Sequence, residues 1–472
     1  MKKFAILALA AVMVIALTVP AAALENEFGG YWRTRFFTQG LFDGENNDDT
    51  NYRAVDTRTR LYYTAKINDN LKFVNKFEYD ATWGSNGGGS RNGASTTSVT
   101  FVDGAGQTNT LTFNNNGNNK SYGGVSADGA NVEIKNSYAD FNVGPVNFTV
   151  GVQGYSLFRD FHISDDAAGV IARWKVLDNF VLAGSWLKAF EGGAGTGNNN
   201  DVDAWTLTGA VYLSEKMSIK PSFSYATSSD AATYANAALG GSGLLGAPGT
   251  SPLNAVQVGA VNDDLQLMTY GFDFDADFDN FGVWATMYMQ SGSLGTTGSD
   301  VDFKGWLAAV GGNVMLGPVD LHGQFIYTPG DDDSDADLDQ IYSPNGSYYW
   351  SEIMGYGIFD NIASTGSPAD KISNMIIGNI GATIKPMDKL KVTADLWYAR
   401  LEDDTFGPGS TAVSSGEDYL GTELDVVVTY QLVEGLNLDL VGAYLWAGDA
   451  TSTDGNNDED PYEFGARLSL SF

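Results

Sequence analysis

Tyr462-Glu463-Phe464-Gly465-Ala466-Arg467-Leu468-Ser469-Leu470-Ser471-Phe472 ends the chain, and its residues alternate in character without a break. Tyr462, Phe464, Ala466, Leu468, Leu470 and Phe472 fall on one face, and Glu463, Gly465, Arg467, Ser469 and Ser471 on the other. Successive side chains of a strand point to opposite faces, so the stretch predicts a strand with one apolar and one polar side. Its length suits a tilted strand crossing a bilayer, which needs about 9–11 residues. A soluble sandwich could end on one such strand, but here the pattern recurs along the chain.

Eighteen segments read as strands, at approximately 27–38, 53–67, 71–82, 131–143, 146–156, 166–176, 180–190, 202–213, 217–227, 265–278, 281–291, 301–316, 319–328, 372–385, 389–401, 419–432, 436–447 and 462–472. Val55, Thr57, Thr59, Leu61, Tyr63, Ala65 and Ile67 oppose Asp56, Arg58, Arg60, Tyr62 and Lys66 in the second segment. Segments 180–190 and 301–316 are apolar or mixed on both faces, so neither gives a direction. The connections alternate. Tight ones such as Asn68-Asp69-Asn70, Gly144-Pro145, Gly317-Pro318 and Val433-Glu434-Gly435 carry turn residues. Between them lie mostly longer, polar ones at 39–52, 83–130, 157–165, 191–201, 228–264, 292–300, 329–371, 402–418 and 448–461. Short turns on one side and long loops on the other are the habit of a transmembrane β-barrel, and an even strand number brings both ends to the short-turn side. The expected fold is all-β: one antiparallel transmembrane barrel of about eighteen strands over residues 24–472.

The start of the chain agrees. Met1-Lys2-Lys3, an apolar run from Phe4 to Val19, and Pro20-Ala21-Ala22-Ala23 have the layout of a secretory signal peptide over residues 1–23, cut after about Ala23. The chain contains no cysteine, which removes disulfides, thiolate metal sites and cysteine nucleophiles together. A net charge of −32 argues against nucleic acid as a partner, because phosphate backbones demand a basic footprint. Phe36, Trp83, Trp186, Trp205, Tyr225, Trp397 and Trp446 lie near strand ends, where interfacial aromatic girdles form.

A carboxylate or guanidinium facing lipid at mid-depth costs kcal/mol, so the polar faces must line the interior. Eighteen strands at ~4.8 Å spacing and ~40° tilt close on a backbone diameter of roughly 35 Å, too wide for side chains alone to fill. The lumen must then hold water or infolded loops. Loop 83–130 is the first candidate constriction, and loops 228–264 and 329–371 are equally free to fold inward or outward. Early strands supply Arg33, Arg35, Arg58, Arg60, Lys72, Lys76, Arg173 and Lys175, an expected basic wall. Later ones supply Asp273, Asp275, Asp277, Asp320, Asp395, Glu423, Asp425, Asp439 and Glu463, an expected acidic wall. Either the walls set up a transverse field, or the charges pair across neighbouring strands.

Of two histidines, His322 lies one inward position from Asp320, which reads as an ordinary wall residue rather than a catalytic base. Haem or transition-metal ligation is equally unpromising, and no cofactor is expected. Asp331, Asp333, Asp335, Asp337 and Asp339 form the densest acidic run. It lacks the glycine and terminal glutamate of an EF-hand loop, so a solvated acidic rim is expected in preference to a Ca²⁺ or Mg²⁺ site.

The mature chain resembles Gram-negative outer-membrane porins of the large eighteen-stranded group. Its aromatic carboxyl terminus resembles the closing strand of such barrels. Tyr31-Trp32-Arg33-Thr34-Arg35, Arg58-Thr59-Arg60-Leu61-Tyr62, Ser137-Tyr138-Ala139-Asp140-Phe141 and Val150-Gly151-Val152-Gln153 look like the alginate-export and related porin-like barrels. The resemblance implies passage of small hydrophilic solutes, contact with outer-membrane lipid and lipopolysaccharide, and possible homo-oligomers. A saccharide or polysaccharide channel, or a loop-presenting adhesin barrel, is the alternative.

Overall fold

The computed structural model describes residues 25–41, 51–84, 96–102, 108–114, 132–191, 201–229, 261–296, 300–331, 337–343, 348–360, 372–404, 416–451 and 459–472. The expected signal peptide, most of loop 83–130, and Asp333 and Asp335 lie outside these residues.

Eighteen strands form the wall: β1 Glu25–Gly40, β2 Tyr52–Asn68, β3 Leu71–Thr82, β4 Glu133–Val143, β5 Val146–Leu157, β6 Ile163–Leu177, β7 Phe180–Phe190, β8 Val202–Ser214, β9 Met217–Ser228, β10 Val261–Asp277, β11 Phe281–Thr296, β12 Trp306–Leu316, β13 Val319–Thr328, β14 Met375–Met387, β15 Leu390–Leu401, β16 Tyr419–Val433, β17 Leu436–Ala447 and β18 Tyr462–Ser471. Each pairs antiparallel with its neighbours in sequence, and β18 pairs with β1 to close the ring. Arg33 stands opposite Arg58 on one side and Ser469 on the other. Closure leaves no sheet edge open, which a bilayer interior requires of any spanning sheet.

The tight connections follow from local chemistry. Gly144 and Gly317 have φ of 58° and 65°, which glycine adopts without a Cβ penalty, and each precedes a proline that fixes the next φ. The Asn68 side chain accepts the Asn70 N–H at 2.8 Å and closes its turn locally.

The outer face is apolar as expected. Leu61, Leu321, Ile380, Leu396, Leu424, Leu440 and Phe464 are exposed along it. The two undirected segments now have faces. On β7, Trp186 points out, stands opposite Trp205 of β8, and donates its indole N–H to Asp203, while Leu187 is buried inside. The region 301–316 divides into Val301–Phe303 and β12, on which Leu307 and Ala309 are buried inside and Val310 and Val314 face out. Phe36, Trp83, Trp186, Trp205 and Trp446 are exposed near the long-connection ends, where a girdle belongs. Trp397 does not join them. It is 5% exposed and faces inward, edge-on to Trp350 at 5.5 Å, because its strand position has the parity of Asp395.

Within loop 83–130, Thr96–Val102 and Thr108–Asn114 pair as a hairpin that is not part of the barrel sheet. Among the described residues, the segments that fill the interior come from elsewhere: 158–162, between β5 and β6, and 337–343 and 348–360, between β13 and β14.

Candidate functional site

The interior divides into two halves of different chemistry. Near the long connections, inward positions of β11–β17 are apolar: Tyr288, Leu307, Ile326, Ile377, Trp397, Ala399, Ala443 and Leu445 are all buried. Phe158 and Phe161 of the first infolded segment, and Ile341, Ile353 and Met354 of the second, pack onto them as one cluster. A further cluster joins Leu265, Leu267 and Leu294 to Phe303, Leu338 and Tyr342. Part of the barrel interior is thus a dry protein core, built partly from residues of loop 329–371, one of the loops that the sequence left free to fold inward or outward.

The two segments also hold each other. Ser343 donates its hydroxyl to the Phe161 and His162 carbonyls at 2.8 and 2.9 Å. The Tyr348 ring stacks on Phe161 at 4.0 Å, and its hydroxyl donates to Gln324 at 2.6 Å. Gln290 donates to the Tyr342 carbonyl and accepts the Tyr342 N–H, clamping the backbone as a neighbouring strand would. His162, sealed in this packing, is pushed down to about 3 by burial and stays neutral.

Phe158, Arg159 and Asp160 are three consecutive non-glycine residues with positive φ, at 53°, 50° and 69°. Each costs about 1–2 kcal/mol in that conformation. What holds them is Arg159. Its guanidinium lies 4.6 Å over the Trp284 ring, donates to Thr286 Oγ1 at 3.2 Å, and meets Asp275 at 2.6 Å. Sequence reading missed Arg159 because it sits in a turn and belongs to no face pattern.

The rest of the interior is polar: on β1–β3 it runs from Arg35, Asp56 and Asp80 near the long connections down the wall, and elsewhere it lies toward the short turns. The expected basic wall stands there, but it carries its own acids. Arg35 pairs bidentately with Asp56, Arg58 with Asp80, Arg60 with Glu78, and Lys72 with Asp140 at 3.1 Å. Lys76 lies over the Tyr62 ring, Arg173 donates to Thr149, and Lys175 meets Asp178 at the rim. Most of these acids stand directly opposite their cations in the register, so each ladder of charges is neutralised by the next strand. Arg33 differs. Opposite Arg58 instead of an acid, it is 9% exposed, reaches Asp360 only at 3.5 Å, and its Nε has no hydrogen-bond partner among the described residues.

The expected acidic wall is also partnered. Asp273 accepts from Thr286, Asp275 meets Arg159 and Lys220, and Asp277 is exposed at the short-turn rim. Asp320 accepts from Asn313, Asp395 from His322 and Asn379, and Asp439 from Thr429 and Arg467. The pattern is therefore pairing across neighbouring strands, not two opposed sheets of charge. Glu423, Asp425 and Glu463 are the exception, being buried with no cation in pairing distance among the described residues. Asp331, Asp337 and Asp339 each have partners, with Asp337 meeting Lys304. Among the described residues no three acidic or histidine side chains converge to hold a metal.

No model of a known protein family matches the sequence, and no curated protein matches it. Solved structures do match. OccAB3 of Acinetobacter baumannii covers 95% of this chain and 99% of its own at 10% identity, with a TM-score of 0.54. OpdK of Pseudomonas aeruginosa covers 95% and 98% at 9% identity, with a TM-score of 0.52. OpdQ of the same organism covers 95% and 99% at 10% identity, with a TM-score of 0.52. These likenesses span the whole barrel, and they show that the chain has the closed, eighteen-stranded antiparallel fold of outer-membrane porins.

Proposed function

We propose that the chain forms a water-filled channel in the outer membrane of a Gram-negative bacterium and passes small hydrophilic solutes by passive diffusion. The observation that carries the reading is the division of the lumen. The infolded segments cover the inner faces of β10–β17 near the long connections, while the short-turn half keeps a charged, hydrated wall on both sides. A closed ring of this width around such a wall is a conduit for water and ions. The short turns then face the periplasm. The rim bearing Trp83, Trp186, Trp205 and Trp446 lies at the lipopolysaccharide leaflet, and the protein acts without cofactor or catalytic step. Reconstitution into planar bilayers is expected to give discrete conductance steps. Silent membranes at confirmed insertion would overturn the reading.

Arg33 favours a narrower version: selection for small organic anions. Tyr31, Arg33, Arg58, Arg60 and Tyr62 line a recess of about 490 Å³, and of its three guanidinium groups Arg33 is the one that stands opposite no acid. OpdK was solved with vanillate. The likeness to alginate-export barrels draws no support from the comparisons, and a small carboxylate fits this recess better than a polymer does. A charge-assisted hydrogen bond contributes about 1.5–3 kcal/mol. Arg33→Gln is therefore expected to weaken current block by benzoate at least tenfold while leaving KCl conductance largely intact. Unchanged block would leave only the unselective channel.

A further inference from the structure

We propose that a cluster of buried carboxyl groups latches segment 348–360 inside the barrel when protonated, and that proton loss releases the segment and widens the passage. The latch stands on geometry; only its effect on conduction rests on the channel reading above.

The segment docks on β16, β18 and β1. Glu423 accepts the Ile353 and Met354 N–H groups at 2.7 and 2.8 Å, one on each carboxylate oxygen. Asp425, two residues along the same inward face, accepts the Glu352 N–H at 3.2 Å. Glu352 turns back to accept the Ile358 N–H at 2.6 Å. Gln39 bridges Glu463 to the Asp360 carbonyl, at 2.6 and 2.7 Å. Glu423, Asp425, Glu463 and Glu352 are 0%, 5%, 2% and 9% exposed. Among the described residues, Asp425 Oδ1 and Glu463 Oε1 have no hydrogen-bond partner.

The nearby cations are already engaged. Arg467 pairs with Asp439, Arg35 with Asp56 and Asp360, and Arg33 with Asp360. Among the described residues, these four carboxyls share a desolvated pocket with no counter-charge of their own. Burial disfavours the ionised form, and like charges disfavour it further. In the docked state the cluster is tolerable because it holds protons; once the segment leaves, water solvates the charges.

The sign follows from linkage. Glu352 is pushed up to about 7, mainly by burial and then by the charge of Glu423. A carboxyl raised in the docked state binds its proton more tightly there than when released. Docking is therefore strongest below the ordinary carboxyl range and weakens as pH rises through about 7. For Glu352 alone, the docked-to-released ratio falls about tenfold between pH 6 and pH 8.

The test is amide hydrogen exchange of peptides covering 348–360, in the full-length protein reconstituted in lipid, corrected for intrinsic chemistry. In parallel, single-channel conductance is recorded across pH 5–8.5. Protection is expected to drop about tenfold from pH 6 to pH 8 as conductance rises, and the double variant Glu352→Gln/Glu463→Gln should stay protected and low-conducting to pH 8. Flat wild-type protection, or an identical drop in the double variant, would overturn the latch. A drop that is abolished in the double variant supports it even in a protein that conducts at no pH; that result would count against the channel reading alone.

Discussion

Phe359→Ala is expected to free segment 348–360 at every pH, because Phe359 is its main apolar anchor. The ring is 0% exposed, stacks on Phe37 at 4.9 Å with 5° between planes, and packs with Val441 of β17. Ile358, Tyr52, Ala54 and Val427 close around it. The close approach also depends on Gly465, where a Cβ would lie 2.7 Å from the Phe359 ring. Removing a buried phenylalanine costs about 3–5 kcal/mol in lost transfer energy and residual cavity. That cost falls on docking, since the barrel wall keeps its backbone ladder. Tenfold in an equilibrium is about 1.4 kcal/mol, so the docked-to-released ratio should fall at least a hundredfold. Amide exchange over 348–360 should accelerate by that factor, with conductance raised and no longer dependent on pH. The hydrogen bonds to Glu423 are a smaller contribution, since a typical intramolecular bond nets about 0.5–1.5 kcal/mol. Wild-type protection in Phe359→Ala would mean that the polar contacts alone hold the segment.

The wall of this barrel was legible because one physical rule decides it. Lipid tolerates apolar side chains and refuses charges, so strands such as Val55–Ile67 and Tyr462–Phe472 record their orientation residue by residue. The turns were legible for the same local reason, Gly144-Pro145 and Gly317-Pro318 being stereochemical punctuation. The interior was not legible, because the inner face obeys no single rule: it meets water in one half and protein in the other. Some signal existed. In β17, Val441, Ala443 and Leu445 are apolar on the inward parity, and β12 carries Leu307 and Ala309 there. Strands apolar on both faces toward the long connections imply something apolar inside, and the polar composition of residues 329–371 hid the Tyr342, Ile353, Met354 and Phe359 that supply it. The charges misled in a different way. Arg58 and Arg60 read as a wall only when Glu78 and Asp80, opposite them on β3, are left out; register, which strand-by-strand patterning does not give, makes them pairs.

The orientation of the wall can be tested by placing the same charge on its two faces. Ile380 lies midway along β14, 71% exposed on the outer face, opposite Gly323 and Leu396. Arginine at that depth has no water to reach along a short path, and the cost for a lipid-facing arginine at the midplane is about 2–4 kcal/mol. Thr393, on the adjacent β15, faces inward and exchanges a hydroxyl hydrogen bond with Thr383 at 3.0 Å. Arginine there loses that one bond and enters the hydrated half of the lumen, so about 1 kcal/mol is expected. Urea titration of folding into lipid vesicles should separate Ile380→Arg from Thr393→Arg by 1 kcal/mol or more, with Ile380→Arg the less stable. The difference reports chiefly the medium, because both substitutions add the same side chain to neighbouring strands, Thr393 lying three residues nearer the short turn than Ile380. Equal losses, or a larger loss for Thr393→Arg, would mean that the inner face is the drier one, and a solute path along β14 and β15 would then be closed.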